Sequence, residues 1–257
     1  MSNSQNISVS YSDSICKRDA TQFAEQHQLN CVSPELASSL LTLNFTPDFI
    51  ELVDNENNNR IHVDFLSGST AHRKQFGGGK GQAIAKAIGL KTTKTLPTVL
   101  DATAGLAKDA FVIATLGCPV IMLEQSAIIA KLVSDGIERA CYDDDFTKTQ
   151  NNGFSLIQQN CLNYFKSLTM LPDVIYLDPM YPDKKKSALV KKNMQLLQKL
   201  LGADEDTTQL LEESLRYAKN RVVVKRPKGA EAISGRTPDT TIESKKTRYD
   251  VYFTFNN

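Results

Sequence analysis

Three short stretches carry side chains suited to joint chemistry. The first is Asp178-Pro179-Met180-Tyr181-Pro182, which ends the apolar run Val174 to Leu177. Each proline biases the residue before it toward extended backbone, so the turn should be stiff. It should present a carboxylate, a carbonyl and an aromatic ring to one crevice. The second stretch is Asp101-Ala102-Thr103-Ala104-Gly105-Leu106-Ala107-Lys108-Asp109. Its small residues let a backbone lie close to a ligand where a strand turns into a helix. The third is Glu124, about 20 residues past Asp101, the spacing at which an acid takes ribose hydroxyls. Gln125 follows it, and the polar groups of Asn160 and Cys161 end the next apolar run, within reach of an adenine edge. Dinucleotide binders want three spaced glycines so that backbone amides reach a pyrophosphate. Here only Gly105 is present, with Thr103 and Ala107 at the spaced positions. That pattern counts against a dinucleotide and is tolerable for S-adenosylmethionine, which has no phosphate to cradle.

These groups need a scaffold that lines them up. From Pro97 onward the pattern alternates strand and helix. Strands are expected at Thr98 to Asp101, Pro119 to Leu123, Phe154 to Gln158, Val174 to Leu177 and Arg221 to Lys225. Helices are expected at Lys108 to Leu116, Ala127 to Ala140, Leu162 to Leu168, Ser187 to Leu201 and Gln209 to Ala218. Thr240 to Glu243 and Arg248 to Phe255 read as a closing antiparallel pair. This order predicts an α/β, Rossmann-like, doubly wound and mostly parallel sheet, with Asp101, Glu124 and Asp178 at carboxyl ends of strands. Residues 1–70 differ in composition and predict a small mixed α/β lobe, leaving 71–257 as the larger domain. In the lobe, Ile7 to Tyr11, Leu41 to Leu43, Phe49 to Val53 and Ile61 to Phe65 read as strands, and Asp13 to Gln28 as a helix. Asp54 to Asn59 reads as a polar hairpin loop.

Composition bounds the rest. Hydrophobics at 41% and charged residues at 23% predict a soluble globular chain rather than a disordered or membrane one. No apolar run reaches membrane-spanning length, and the amino terminus lacks the basic start and apolar core of a signal peptide. Five cysteines without paired spacing predict reduced thiols and a cytoplasmic location rather than a disulfide scaffold or zinc site. Three scattered histidines form no ligand motif. A net charge of +1 means that nucleic acid would have to meet a local basic face. Two such faces stand out. Ala71 to Gly81 is glycine-rich and carries Arg73, Lys74 and Lys80. It reads either as a joint before the helix Gln82 to Ile88 or as a loop that meets RNA phosphates. Lys184, Lys185, Lys186, Lys191 and Lys192 follow the Asp178 turn and read either as a solvated helix start or as an RNA-backbone contact.

Several motifs together resemble one family. They are Asp101 to Asp109, Leu177 to Pro182, Lys185 to Lys192, Arg221 to Pro227, His62 to Phe65 and Ala71 to Gly81. In this order they are similar to the RsmJ family, 16S ribosomal RNA guanine-N2 methyltransferases that use S-adenosylmethionine. The resemblance runs from about residue 60 to the end. It implies a class I methyltransferase domain behind a small lobe, with 16S ribosomal RNA or the small ribosomal subunit as partner. It implies cofactor contacts at Lys108, Asp109, Glu124, Gln125, Asn160, Cys161 and Asp178. The family often has Arg at 108 and 125 and a serine pair at 160 and 161, so a side-chain contact from Cys161 is not expected. On this reading Asp178 and the Pro179 carbonyl hold the guanine amine, Tyr181 stacks on its ring, and the activated sulfonium makes a metal unnecessary. Three other functions share the fold. They are an amino methyltransferase for adenine or a protein glutamine, a nicotinamide-dependent oxidoreductase, and a non-catalytic RNA-binding assembly factor.

Overall fold

The computed structural model describes residues 6–33, 39–67, 79–90, 95–179, 192–201, 207–245 and 247–254. In chain order the strands are β1 Ile7–Tyr11, β2 Asn30–Val32, β3 Leu41–Phe45, β4 Ile50–Asp54, β5 Asn59–Ile61, β6 Val99–Asp101, β7 Val120–Glu124, β8 Phe154–Gln158, β9 Val174–Leu177, β10 Arg221–Pro227, β11 Thr240–Glu243 and β12 Thr247–Phe253. The helices are α1 Lys17–Gln26, α2 Ala83–Ala87, α3 Lys108–Thr115, α4 Ala127–Ala140, α5 Asp144–Asn151, α6 Cys161–Phe165, α7 Lys192–Leu201 and α8 Thr207–Tyr217.

The chain divides into two compact units. One is drawn from Met1–Asp64, Ala127–Arg139 and Asp183–Ala203, the other from Phe65–Ser126, Ala140–Pro182 and Asp204–Asn257. The first change of unit falls between Asp64 and Phe65. Nearly all of α4, and α7, belong to the first unit although they come from beyond residue 71.

The described strands of the first unit form a sheet ordered β2-β1-β3-β4-β5. β1 runs parallel to β2 and β3, and β4 runs antiparallel to β3 and β5. The last strand starts at Asn59, two residues before the expected Ile61, and stops at Ile61. The reason is Asp54, whose Oδ1 accepts from the amides of Glu56 (3.1 Å) and Asn57 (3.2 Å). That Asp-centred turn closes the hairpin sooner than its polar run suggests. In the same unit α4 passes close to Val63. A Cβ on Gly136 would stand 2.8 Å from Val63 Cγ1 and 3.0 Å from its carbonyl oxygen. The Arg139 guanidinium donates to that same carbonyl.

The described strands of the second unit form a sheet ordered β11-β12-β10-β9-β6-β7-β8. β8, β7, β6, β9 and β10 are mutually parallel, and β12 runs antiparallel between β10 and β11. This is the doubly wound, mostly parallel sheet that the alternation predicts. Strands covered on both faces read as continuous apolar runs, and β9 is buried throughout. One face packs Leu100, Ile175, Leu177, Val222, Val224 and Tyr252 into a core. Elsewhere in the unit Phe65, Phe111, Phe146 and Phe154 pack ring against ring, with centroids 5.0–6.0 Å apart. Phe146 comes from α5, a helix the sequence reading lacked. Asp143 caps it by accepting from the Phe146 amide at 2.9 Å.

The close approach at Val63 makes Gly136 a sensitive point. Gly136→Ala gains about 1 kcal/mol of helix propensity, but overpacking against Val63 should cost about 1–3 kcal/mol. The expected outcome is a lower thermal midpoint. An unchanged or raised midpoint would show that α4 moves away from Val63 at no cost.

Candidate active site

The order of the parallel sheet reverses at β6, which pairs with β7 on one side and β9 on the other. Ligands bind outside the carboxyl ends of strands at such a reversal. β6 ends in Asp101, β7 ends in Glu124, β9 is followed by Asp178, and Lys225 lies in the carboxyl half of β10. Four strands therefore deliver one ionisable group each to one edge of the sheet.

The two turns beside β6 and β9 are bonded to each other. Asp101 Oδ1 accepts from the Thr103 amide at 3.1 Å, folding the turn after β6. Thr103 Oγ1 in turn accepts from the Asp178 amide at 2.6 Å. The Ala102 amide donates to the Tyr176 carbonyl and the Ala104 amide to the Leu123 carbonyl. Gly105 (φ +51°) and Ala107 (φ +58°) both take left-handed backbone. No atom lies within 4 Å of where a Gly105 Cβ would point, so the bare face of the turn is open. Ala107 keeps this glycine-like conformation despite its methyl group, at about 1–2 kcal/mol. It is held there by its amide, 2.8 Å from the Ala104 carbonyl, and by its own carbonyl accepting from Phe111 at the start of α3.

Asp109, in the first turn of α3, is buried. Its Oδ2 accepts from the Tyr176 hydroxyl at 2.8 Å and from Lys225 Nζ at 2.7 Å. The same Nζ lies 2.7 Å from Asp178 Oδ2. Burial alone would lower the Lys225 pKa, but the Asp178 and Asp109 carboxylates outweigh it and hold the ammonium above its ordinary range. Burial pushes the Asp178 carboxyl up, Lys225 pulls it back, and Asp109 adds to the rise. Asp101 is pushed well up by burial, against the Thr103 amide and with a further rise from Asp109 and Asp178. Asp109 and Lys225 also border a cleft of about 360 Å³ whose other walls include Gln82, Ile84, Ser244, Thr247 and Tyr249.

Glu124 forms a second acceptor centre. Its Oε2 accepts from the Gly105 amide at 3.0 Å and its Oε1 from the Ser126 amide at 2.7 Å. Burial nevertheless raises its pKa to about 7, against the pull of the Ser126, Gly105 and Gln125 amides. Next to it, Gln125 Oε1 accepts from Asn160 Nδ2 at 2.9 Å. Asn160 caps α6, its Oδ1 accepting from the Leu162 and Asn163 amides. Cys161 is buried in the hydrophobic core with Leu123 and Phe165, whereas Lys108 is exposed on the first turn of α3.

The structure thus brings Asp101, Asp109 and Asp178 together, joins Glu124 to Gly105, and pairs Gln125 with Asn160. Pro179 follows Asp178, half-buried. Arg73, Lys74, Tyr181, Lys184, Lys185, Lys186 and Lys191 lie outside the described residues, and Lys80 and Lys192 are described in their backbone only. Sequence reasoning missed Lys225. Its one signal is a cation that ends the apolar run Val222 to Val224, beside a strand that leads to a carboxylate. Thr103 and Tyr176, which fix Asp178 and Asp109, carried no signal beyond a small polar turn residue and a ring in a core strand.

A parallel sheet reversed at β6, a small-residue turn under an acid, and an acid beside proline after β9 define a class I methyltransferase. The family model described as "Putative SAM-dependent methyltransferase" matches residues 22–254. A ribosomal RNA small subunit methyltransferase J from Shewanella amazonensis is 53% identical over 192 residues, covering 75% of this chain and 77% of that one. The protein of the same name from Coxiella burnetii is 44% identical over 248 residues, 96% of each chain. The crystal structure of a SAM-dependent methyltransferase from Neisseria gonorrhoeae superposes with a TM-score of 0.76 at 32% identity, covering 97% of both chains. The chain belongs to the RsmJ family of S-adenosylmethionine-dependent methyltransferases. This membership sets aside the nicotinamide-dependent oxidoreductase. Among the described residues no helix is long and apolar enough to cross a membrane.

The state of Glu124 gives a stability test. A carboxyl whose folded pKa is raised from 4.5 to about 7 holds its proton more tightly when folded. Its favourable contribution is complete below pH 4.5 and is lost as pH rises through 7. Glu124→Gln should therefore stabilise the cofactor-free protein at alkaline pH by on the order of 1–3 kcal/mol, with no gain in mild acid. Urea denaturation at the two pH values checks this. An equal effect at both would show that Glu124 does not titrate near neutrality.

Proposed function

We propose that the chain transfers the methyl group of S-adenosylmethionine to the exocyclic N2 of a guanine in 16S ribosomal RNA, free or within the small ribosomal subunit. The printed name of the relatives, ribosomal RNA small subunit methyltransferase J, supports the substrate class. The observation that carries the chemistry is the setting of Asp178. Its amide is fixed by Thr103 and its Oδ2 by Lys225. Its Oδ1 has no hydrogen-bond partner among the described residues, and the Pro179 carbonyl follows it. An amine with two hydrogens needs two acceptors, and this turn offers them side by side.

The guanine amine is a weak nucleophile because its lone pair is delocalised into the ring. Hydrogen bonds to Asp178 and the Pro179 carbonyl orient that pair toward the sulfonium methyl. When bound, S-adenosylmethionine would supply the electrophilic methyl group to this nitrogen, and its sulfur would keep the bonding electron pair as the neutral thioether that leaves. The amine proton passes to the Asp178 carboxylate, whose raised pKa suits it to accept. Positioning of this kind supplies roughly 7–11 kcal/mol of the barrier. Glu124 would take the ribose hydroxyls in place of the amides it holds, Gly105 would let the cofactor approach the backbone, and Gln125 and Asn160 would meet the adenine. Lys108 and Asp109 lie at the cofactor's other end. Tyr181 stacks on the extruded base, which contributes about 1–3 kcal/mol. Arg73, Lys74, Lys80 and the lysines from 184 to 192 track the RNA backbone.

Two substitutions test these roles. Asp178→Asn should lower the rate of labelled-methyl transfer to the RNA by about 100-fold or more while the protein stays folded. Near wild-type turnover would sink the role of Asp178. Tyr181→Ala should weaken the RNA step about tenfold or more by lost stacking, and leave S-adenosylmethionine affinity by calorimetry intact. A collapse of cofactor affinity instead would make Tyr181 a cofactor lid.

A further inference from the structure

The chemistry described above uses Lys225 only as the partner of Asp178 Oδ2, yet its ammonium bonds carboxylates from two different elements. Alternation along β10 sends Val222 and Val224 into the core beside Ile175 and Leu177. Lys225 therefore emerges on the other face, the face of Tyr176. There its Nζ meets Asp109 from α3 and Asp178 from the end of β9, each at 2.7 Å. The remaining ionisable groups around it are Tyr176 on β9, which donates to the same Asp109 oxygen, Asp101 at the end of β6, and Tyr249, its register partner on β12. Lys225 thus spans the two halves of the reaction: the first turn of the helix that follows the cofactor loop, and the turn that offers an acceptor to the substrate.

We propose that Lys225 is a positioning residue for methyl transfer, whose ammonium keeps the Asp178 carboxylate ionised and aims its second oxygen at the acceptor amine. This rests on the assignment of Asp178 to the guanine amine. Asp109, Asp178 and Lys225 together carry a charge of −1, which favours a sulfonium cation beside them. Without the lysine the buried Asp109 and the half-buried Asp178 would present two facing carboxylates, and one of them would take up a proton more readily. A protonated Asp178 offers the amine a weaker acceptor and cannot receive its proton. A buried ion pair is weak evidence for a stabilising role, since an apolar side chain of similar size often replaces it without loss. Its value here lies in the charge it imposes on its partners.

Single-turnover methyl transfer to ribosomal RNA lacking the modification, followed across pH for wild type, Lys225→Met, Lys225→Gln and Lys225→Arg, tests this. In the Met and Gln variants the acidic limb of the profile should move up by about 1–3 pH units. At neutral pH the rate should fall about tenfold for each unit that the limb passes the assay pH. Rates should recover at alkaline pH, calorimetric affinity for S-adenosylmethionine should stay largely unchanged, and Lys225→Arg should keep the wild-type limb. A rate lowered equally at every pH would overturn the proposal and leave Lys225 a structural contact. So would failure of both the Met and Gln variants to fold, or a limb displaced as far in Lys225→Arg as in Lys225→Met. A wild-type protein that leaves this RNA unlabelled sinks the guanine assignment itself. A working wild type whose variants keep their limb sinks only the role of Lys225.

Discussion

One ammonium makes the carboxyl edge of the larger sheet tenable. Reversal of strand order at β6 brings Asp101, Asp109 and Asp178 within electrostatic reach of one another. Carboxylates that face each other favour the protonated form, which holds a cation or an amine less well. Lys225 counters this at two of them, bonding Asp109 and Asp178 at 2.7 Å each, while Asp101 stays pushed well up. Tyr176 adds a donor to Asp109, and the Thr103 hydroxyl fixes the Asp178 backbone. Each partner comes from a different segment, so the arrangement exists only when the sheet is assembled in its register.

The same sheet explains why the cofactor loop can do with few glycines. A pyrophosphate needs several bare amides in a row. A sulfonium nucleoside needs an open backbone at one point and an acid for its ribose. On the proposed reading Gly105 would supply the first and Glu124, whose Oε2 accepts from the Gly105 amide, the second. Ala107 accepts a strained left-handed backbone to start α3 where Asp109 can reach Lys225. The loop is shaped by where α3 must begin as much as by the ligand beside it.

Much of this was legible in the sequence. Period and length located β6 to β10, because buried parallel strands are short apolar runs, and β9 matches Val174 to Leu177 residue for residue. Asp101, Glu124 and Asp178 were legible as acids that end such runs. What escaped depended on distant partners. Lys225 looks like an ordinary strand exit until β10 is set beside β9. Tyr176 looks like any core aromatic until α3 brings Asp109 to its hydroxyl. α5 escaped because its stretch is polar, and its one strong anchor, Phe146, packs on the rings of Phe65 and Phe111 from distant segments and of Phe154 on the next strand. β5 was misplaced because a side chain, Asp54, sets the turn. The grouping of α4 and α7 with the first unit was hidden for a simpler reason: a lobe read from composition is contiguous, and a lobe defined by packing need not be.

Methylation of a guanine amine in small-subunit ribosomal RNA is the reaction proposed for this site. The most direct measurement is mass spectrometry of nuclease fragments of that RNA from a strain lacking the chain, and from the same strain after the gene is restored. One N2-methylguanine should disappear without the chain and return with it, and a copy carrying Asp178→Asn should fail to restore it. An unchanged methylguanine pattern, or loss of a methyl group from adenine or from a ribosomal protein instead, would contradict the proposed reaction.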